Sequence, residues 1–238
     1  MCGRFSQTAN QKKLSEEFGI PPDSIPPVRP RRYIVPLQPV VALVKRAELK
    51  IDFFLWGLIP VWAKDAGIGK RMFNARSESL AVRPSFRGLF QSQRCLVLAD
   101  GFYEWKKEGA NKIPYYIRLK SGKPFGFAGL WSHWLSRDGS EIKSCTVITC
   151  TPNALIQKIH HRMPVIISAE DRGAWLDILN HDTRKLFSLL KSYPAEEMEA
   201  YPAERLELDT PKDFTDIGLK KERLPGDLDL PFDNKSNR

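Results

Sequence analysis

Arg94-Cys-Leu-Val-Leu-Ala-Asp-Gly-Phe-Tyr-Glu-Trp-Lys106 is the most informative stretch of this chain. Two runs of apolar and aromatic residues are broken at Asp100-Gly101, which predicts strands over 94–99 and 102–106. The pattern repeats outward. Residues 114–119, 126–131 and 145–149 read as further strands, separated by turns with Gly, Lys and Ser. Upstream, 40–44 and 51–55 read as two strands joined by a charged turn. Helical signals sit at the ends and crossovers. Leu14 and Phe18, four apart, give residues 10–18 an amphipathic helix. Pro152 opens a helix expected to run to Ile159. Residues 163–167 read as a strand, Ser168 as the cap of a helix over 169–179, and 183–190 as a last short helix. Residues 19–36, with six prolines, read as an ordered loop, and 63–93 as mixed loop and short helix. The expected fold is α+β, a mainly antiparallel, barrel-like β-sheet with flanking helices.

The chain has 238 residues, 42% hydrophobic and 27% charged, which suits a globular core and argues against wholesale disorder. No apolar run is long enough for a transmembrane helix, and the start lacks the apolar core of a signal peptide. No membrane partner and a cytoplasmic location, nucleoid-associated in a bacterium, are expected. The net charge of +9 is uneven. Residues 191–238 carry 8 basic and 12 acidic side chains, leaving +13 on residues 1–190. A domain over 1–190 followed by an acidic tail over 191–238 is expected, and the basic body suggests a polyanion or a surface tuned for solubility. Among the four cysteines, no spacing forms a zinc pair. Cys95, Cys145 and Cys150 read as small buried strand residues. Walker and dinucleotide fingerprints are absent, so no metal and no cofactor is expected.

Cys2 differs from the other cysteines, because ordinary core residues do not sit so near a terminus. Aminopeptidase removal of Met1 before a small residue would make Cys2 the first residue, with an amine and a thiol on adjacent carbons. An α-amine of pKa near 8 is partly free base at pH 7, suiting it to Schiff-base chemistry or N-terminal nucleophilic catalysis. By itself, Cys2 also reads as a chance second residue. Period-2 alternation places Phe102 and Glu104 on one strand face, with Tyr103 and Trp105 on the other. A carboxylate beside Phe is either a buried proton carrier or a group on an exposed face. His160 and His161 stand at a helix–strand junction, pointing different ways, as a general acid or as solvent histidines. If extended, Asn74, Arg76 and Glu78 share one side. Asn74 can orient a carbonyl or serve a turn, and Arg76 can meet a phosphate or pair with Glu78. Tryptophans beside arginines can stack on bases or simply fill the core.

Met1-Cys-Gly-Arg4, Trp56-Gly-Leu-Ile-Pro-Val-Trp62, Asn74-Ala-Arg-Ser-Glu78, Arg94-Cys-Leu with Gly101-Phe-Tyr-Glu-Trp105, and His160-His-Arg-Met-Pro164, taken together and in this order, resemble the SOS response-associated peptidase (SRAP) family of abasic-site processing proteins. The resemblance spans residues 1–180. It implies that Cys2, Asn74, Glu104 and His160 form a catalytic set. It places Arg4, Arg76 and Arg162 at DNA phosphates and Trp105 near the lesion. The implied partner is single-stranded DNA containing abasic sites, bound by a monomer. The implied activity is a covalent thiazolidine crosslink through Cys2, with weak lyase activity. Tyr33 stands where the family usually has Asn, and Leu98 where it often has Pro. Two other readings stand beside this one: a thiol peptidase (hydrolase) of the N-terminal-nucleophile type, which shares Cys2, Asn74, Glu104 and His160, and a non-covalent reader of modified DNA bases, which does not need Cys2.

Overall fold

Strands account for most of the regular secondary structure among the described residues, and their pairing decides where each loop falls. The computed structural model describes residues 2–136, 139 and 141–203. In chain order the strands are β1 (Phe5–Gln7), β2 (Arg31–Ile34), β3 (Pro39–Lys45), β4 (Leu49–Trp56), β5 (Asn74–Arg76), β6 (Arg94–Ala99), β7 (Gly101–Glu108), β8 (Asn111–Leu119), β9 (Phe125–Leu135), β10 (Glu141–Cys150), β11 (Met163–Pro164), β12 (Ile166–Ile167) and β13 (Met198–Pro202). The helices are α1 (Gln11–Phe18), α2 (Pro84–Ser92), α3 (Arg172–Leu176) and α4 (Thr183–Ser188).

Five strands close on themselves in the cyclic order β10–β4–β3–β6–β9, with β9 pairing back to β10. All these pairings are antiparallel except β10–β4. The expected α+β, barrel-like, mainly antiparallel architecture is present. Closure leaves these strands no free edge within the ring. Every residue of β6 is buried, including Cys95, and Cys145 and Cys150 on β10 are buried free thiols, as expected. A second sheet has the order β13–β8–β7–β1–β2. The chain leaves the barrel at Asp100 and enters this sheet at Gly101. A side chain on Gly101 would clash with the ring of Tyr116, whose hydroxyl bonds Ser6 at 2.8 Å.

The N-terminal strand is held more firmly than a terminus usually is. Gln7 is buried, and its amide substitutes for a strand bond between β3 and β6: Nε2 donates to Val41 O (3.0 Å) and Leu98 O (2.7 Å), and Oε1 accepts from Val41 N (3.3 Å). The Asp100 carboxylate accepts from the Thr8 amide. Phe5 packs edge-on against Trp56 at 4.7 Å. Gln7→Ala should therefore lower stability by about 2 kcal/mol, since buried backbone groups lose their partners. Equilibrium denaturation would read this as a lower midpoint with an unchanged slope.

Several local expectations yield to tertiary contacts. Residues 31–34, expected as loop, form edge strand β2 because β1 offers it a partner. The helix expected over 152–159 is reduced to a 3-10 turn at Ile156–Lys158. Asn153 Oδ1 accepts from the amides of Leu155 and Ile156, the geometry of an N-cap, so the turn starts after Asn153 rather than at Pro152. The strand expected over 163–167 splits at Val165, with β11 on β10 and β12 on β9. The helix expected over 169–179 contracts to α3, and Ser168 Oγ bonds Asp171 Oδ2 rather than capping the backbone. The carbonyls freed at the end of α3 are collected by Arg94, which is fully buried. Its guanidinium donates to Trp175 O at 2.6 Å and to Asp177 O and Asn180 O. The boundary expected at residue 190 falls before β13, which pairs along β8 from Met198↔Leu119 to Pro202↔Tyr115. Residues 204–238, most of the expected acidic tail, lie outside the described residues.

Candidate active site

Four elements deliver the expected catalytic residues to one place. Cys2 precedes β1 and is fully buried. Asn74 opens β5, which runs parallel to β10 through Val147↔Asn74 and Thr149↔Arg76. From there Asn74 Nδ2 donates to the Cys2 carbonyl at 2.7 Å, while Asn74 Oδ1 is a buried acceptor with no hydrogen bond among the described residues. β7 pairs with β1 through Phe5↔Phe102, and Tyr103 N donates to Arg4 O. Phe102 lies in the core and Glu104, two residues on, is only 4% exposed. His160 follows the 156–158 turn, with Nδ1 3.7 Å from Glu104 Oε1.

This burial sets the protonation states. Desolvation raises the Glu104 carboxyl to about 7. Burial, assisted by the negative charge of Glu104, pushes the Cys2 thiol far above its ordinary range. Desolvation lowers His160, against a hydrogen bond to the Arg162 main chain that raises it. A carboxyl near neutrality beside a neutral imidazole can accept and return protons at physiological pH.

The rim is basic and aromatic. The Arg4 guanidinium lies 4.5 Å from the ring centre of half-buried Trp105 and 5.5 Å from that of Tyr33. Arg76 is exposed at the end of β5. The alternative for Arg76, a pairing with Glu78, does not form: after β5 the chain turns into a 3-10 segment at Ser77–Ser79, ending the alternation. Glu78 instead grips Arg162, whose Nη1 and Nη2 lie 2.6 and 3.0 Å from its two carboxylate oxygens. The Arg162 guanidinium, assigned to DNA phosphate by the resemblance, thus has protein partners. His160 and His161, expected to point apart, have rings 4.3 Å apart, because the turn does not alternate them as a strand would. Trp56, Trp131, Trp134 and Trp175 fill the core.

Sequence reading missed Gln7 and Asp100, which hold the strand behind Cys2, and treated Glu78 only as a surface partner for Arg76. A buried glutamine serving two neighbouring strands has no local sequence signal. Among the described residues, no cluster of three or more His, Cys, Asp or Glu side chains could hold a metal ion, and no helix is long and apolar enough to cross a membrane.

The family model described as SOS response associated peptidase (SRAP) matches residues 1–206. The chain belongs to this family. Among SRAP relatives, it is 42% identical over 217 residues to the abasic site processing protein YoqW of Bacillus subtilis (strain 168), covering 89% of this chain and 96% of that protein. It is 41% identical over 211 residues to the abasic site processing protein YobE of the same organism, covering 87% of this chain and 95% of that one. A crystal structure of a protein from Bacteroides thetaiotaomicron is similar at 32% identity and a TM-score of 0.77, covering 85% of this chain and 92% of that one. The SRAP match runs past β13, which places that edge strand inside the family unit.

Proposed function

We propose that the mature chain, beginning at Cys2, processes abasic sites in single-stranded DNA by capturing the ring-opened sugar as a covalent thiazolidine. The observation that carries this reading is the convergence of Cys2, Asn74, Glu104 and His160 from four separate elements. It is supported by SRAP membership and by relatives named abasic site processing proteins.

Arg4 and Arg76 dock the strand, and Trp105 offers a stacking face beside the lesion. His160 moves a proton at the sugar ring oxygen, opening the ring to the aldehyde. The Cys2 amine then attacks C1′, and loss of water leaves a Schiff base. The thiol sulfur adds to the same carbon, the C=N π electrons return to nitrogen, and the thiol proton passes by way of the Glu104 carboxylate to that nitrogen. The Asn74 amide holds the Cys2 carbonyl, and its unmet Oδ1 is suited to accept from the freed amine. A thiol kept protonated by burial is a poor first nucleophile, so the amine acts first. That order favours aldehyde capture over thiol peptidase chemistry. The Schiff base also permits slow strand cleavage by β-elimination, a weak lyase activity that ring closure suppresses.

The test is incubation with an oligonucleotide carrying one abasic site, followed by denaturing electrophoresis. A slow-migrating band that survives denaturation is expected. Its absence from protein with a processed N-terminus would overturn the reading. Arg76→Ala should weaken binding and reduce the magnitude of the slope of log K against log salt by about 0.7, the loss of one phosphate contact on a single strand. Equilibrium binding at several salt concentrations measures this.

A further inference from the structure

Residues 159–162 connect the 3-10 turn at Ile156–Lys158 to β11, and His160 is on this connection. Its tether is Arg162. Besides the two bonds to Glu78, Arg162 Nη2 donates to Thr149 O on β10 at 2.6 Å, and the side chain is only 11% exposed. The main chain of the same residue brackets the imidazole: Arg162 N and Arg162 O lie 3.1 and 3.0 Å from His160 Nδ1. Either tautomer of the ring finds a partner there, so the Arg162 peptide groups set the ring plane. Glu78 sits in the turn directly after β5, the strand carrying Asn74.

We propose that Glu78 is a positioning residue for His160, acting through Arg162. Its carboxylate fixes the guanidinium, the guanidinium ties the 159–162 connection to β10 and to the turn after β5, and the anchored Arg162 main chain aims the imidazole at Glu104. One ion pair thereby couples the strand that presents Asn74 to the loop that presents His160. The Glu78 side chain is 54% exposed, so its loss should leave the global fold intact. The proposal rests on the abasic-site reading for the role of His160, but not for the geometry.

The experiment compares wild type with Glu78→Gln. Adduct formation is followed under single-turnover conditions over a range of concentrations of an abasic-site oligonucleotide. The rate at saturation should fall about tenfold with an unchanged half-saturating DNA concentration. A changed half-saturating concentration with an unchanged rate would mean that Glu78 and Arg162 serve DNA docking, and would overturn the proposal. So would two unchanged parameters. A second readout needs no DNA: amide hydrogen exchange at Arg162, whose N–H faces His160 Nδ1, should accelerate about tenfold in the variant. Unchanged exchange overturns the proposal whatever the adduct assay shows, whereas a wild-type protein that forms no adduct overturns only the abasic-site reading. If Glu78→Gln fails to fold, Glu78→Asp, which keeps the charge on a shorter arm, takes its place with both effects smaller.

Discussion

Cys2→Ala protein should form no denaturation-resistant adduct with abasic single-stranded DNA, while borohydride should still trap a reducible intermediate. The two halves of this result separate the two reactive groups on one residue. The substitution removes the sulfur and leaves an α-amine at the same terminus, with Asn74 still able to hold the residue-2 carbonyl. The amine can condense with the aldehyde but cannot close the five-membered ring. The loss of stable adduct should be complete, because Cys95, Cys145 and Cys150 are buried and none carries an adjacent amine. The same variant should show more strand cleavage than wild type, since an open Schiff base remains free to undergo β-elimination. An unchanged adduct band would remove the thiol from the chemistry. Loss of both the band and the trapped intermediate would mean that the thiol, not the amine, attacks first.

Glu104→Gln should trade activity for stability, with the two effects of opposite sign in one substitution. Burial raises this carboxyl from an ordinary 4.5 to about 7. A group whose pKa is higher in the folded state contributes its full stability below the unfolded value. That stability is lost as pH rises through the folded value. Above pH 7 the folded protein must hold a buried carboxylate, a cost of about 3 kcal/mol relative to the unfolded chain. Glutamine has the same shape and never ionises. The variant should therefore match wild type in thermal stability near pH 4 and exceed it increasingly from pH 5 to pH 8. Adduct formation should fall by roughly 10²–10⁴-fold, the usual contribution of a positioned proton carrier. Thermal unfolding at pH 4 and pH 8 measures the first effect and single-turnover adduct formation the second. Equal melting temperatures at pH 8 would show that Glu104 is not strained by burial, and an unchanged rate would remove it from proton transfer.

Much of the barrel was legible because strand signals are local. The runs at 40–44, 51–55, 94–99, 102–106, 114–119, 126–131 and 145–149 all lie inside observed strands. Apolar side chains on a pleated backbone announce themselves by composition and period. The misreadings have different causes. Residues 31–34 pair because β1 lies beside them, and the turn within 152–159 starts later than expected because Asn153, not Pro152, caps it. The first is decided by a strand remote in sequence, the second by a side chain within the segment itself.

The division is similar at the site. The chain's own residues determined which chemistry is available: a second-position cysteine, a carboxylate on the face of a core phenylalanine, a histidine before Arg-Met-Pro, and motifs in the SRAP order. Only the tertiary structure decided what those groups experience. Desolvation depends on neighbours remote in sequence, so the rise of Glu104 toward neutrality follows from packing against the segment that carries Cys2. Partner choice likewise depends on distance in space. That is why Glu78 meets Arg162, 84 residues away, rather than Arg76 two residues before it, and why Gln7 can lock the N-terminal strand between two others. Local pattern records propensity and burial, whereas charge states and hydrogen-bond partners are set by contacts that form only when the barrel closes.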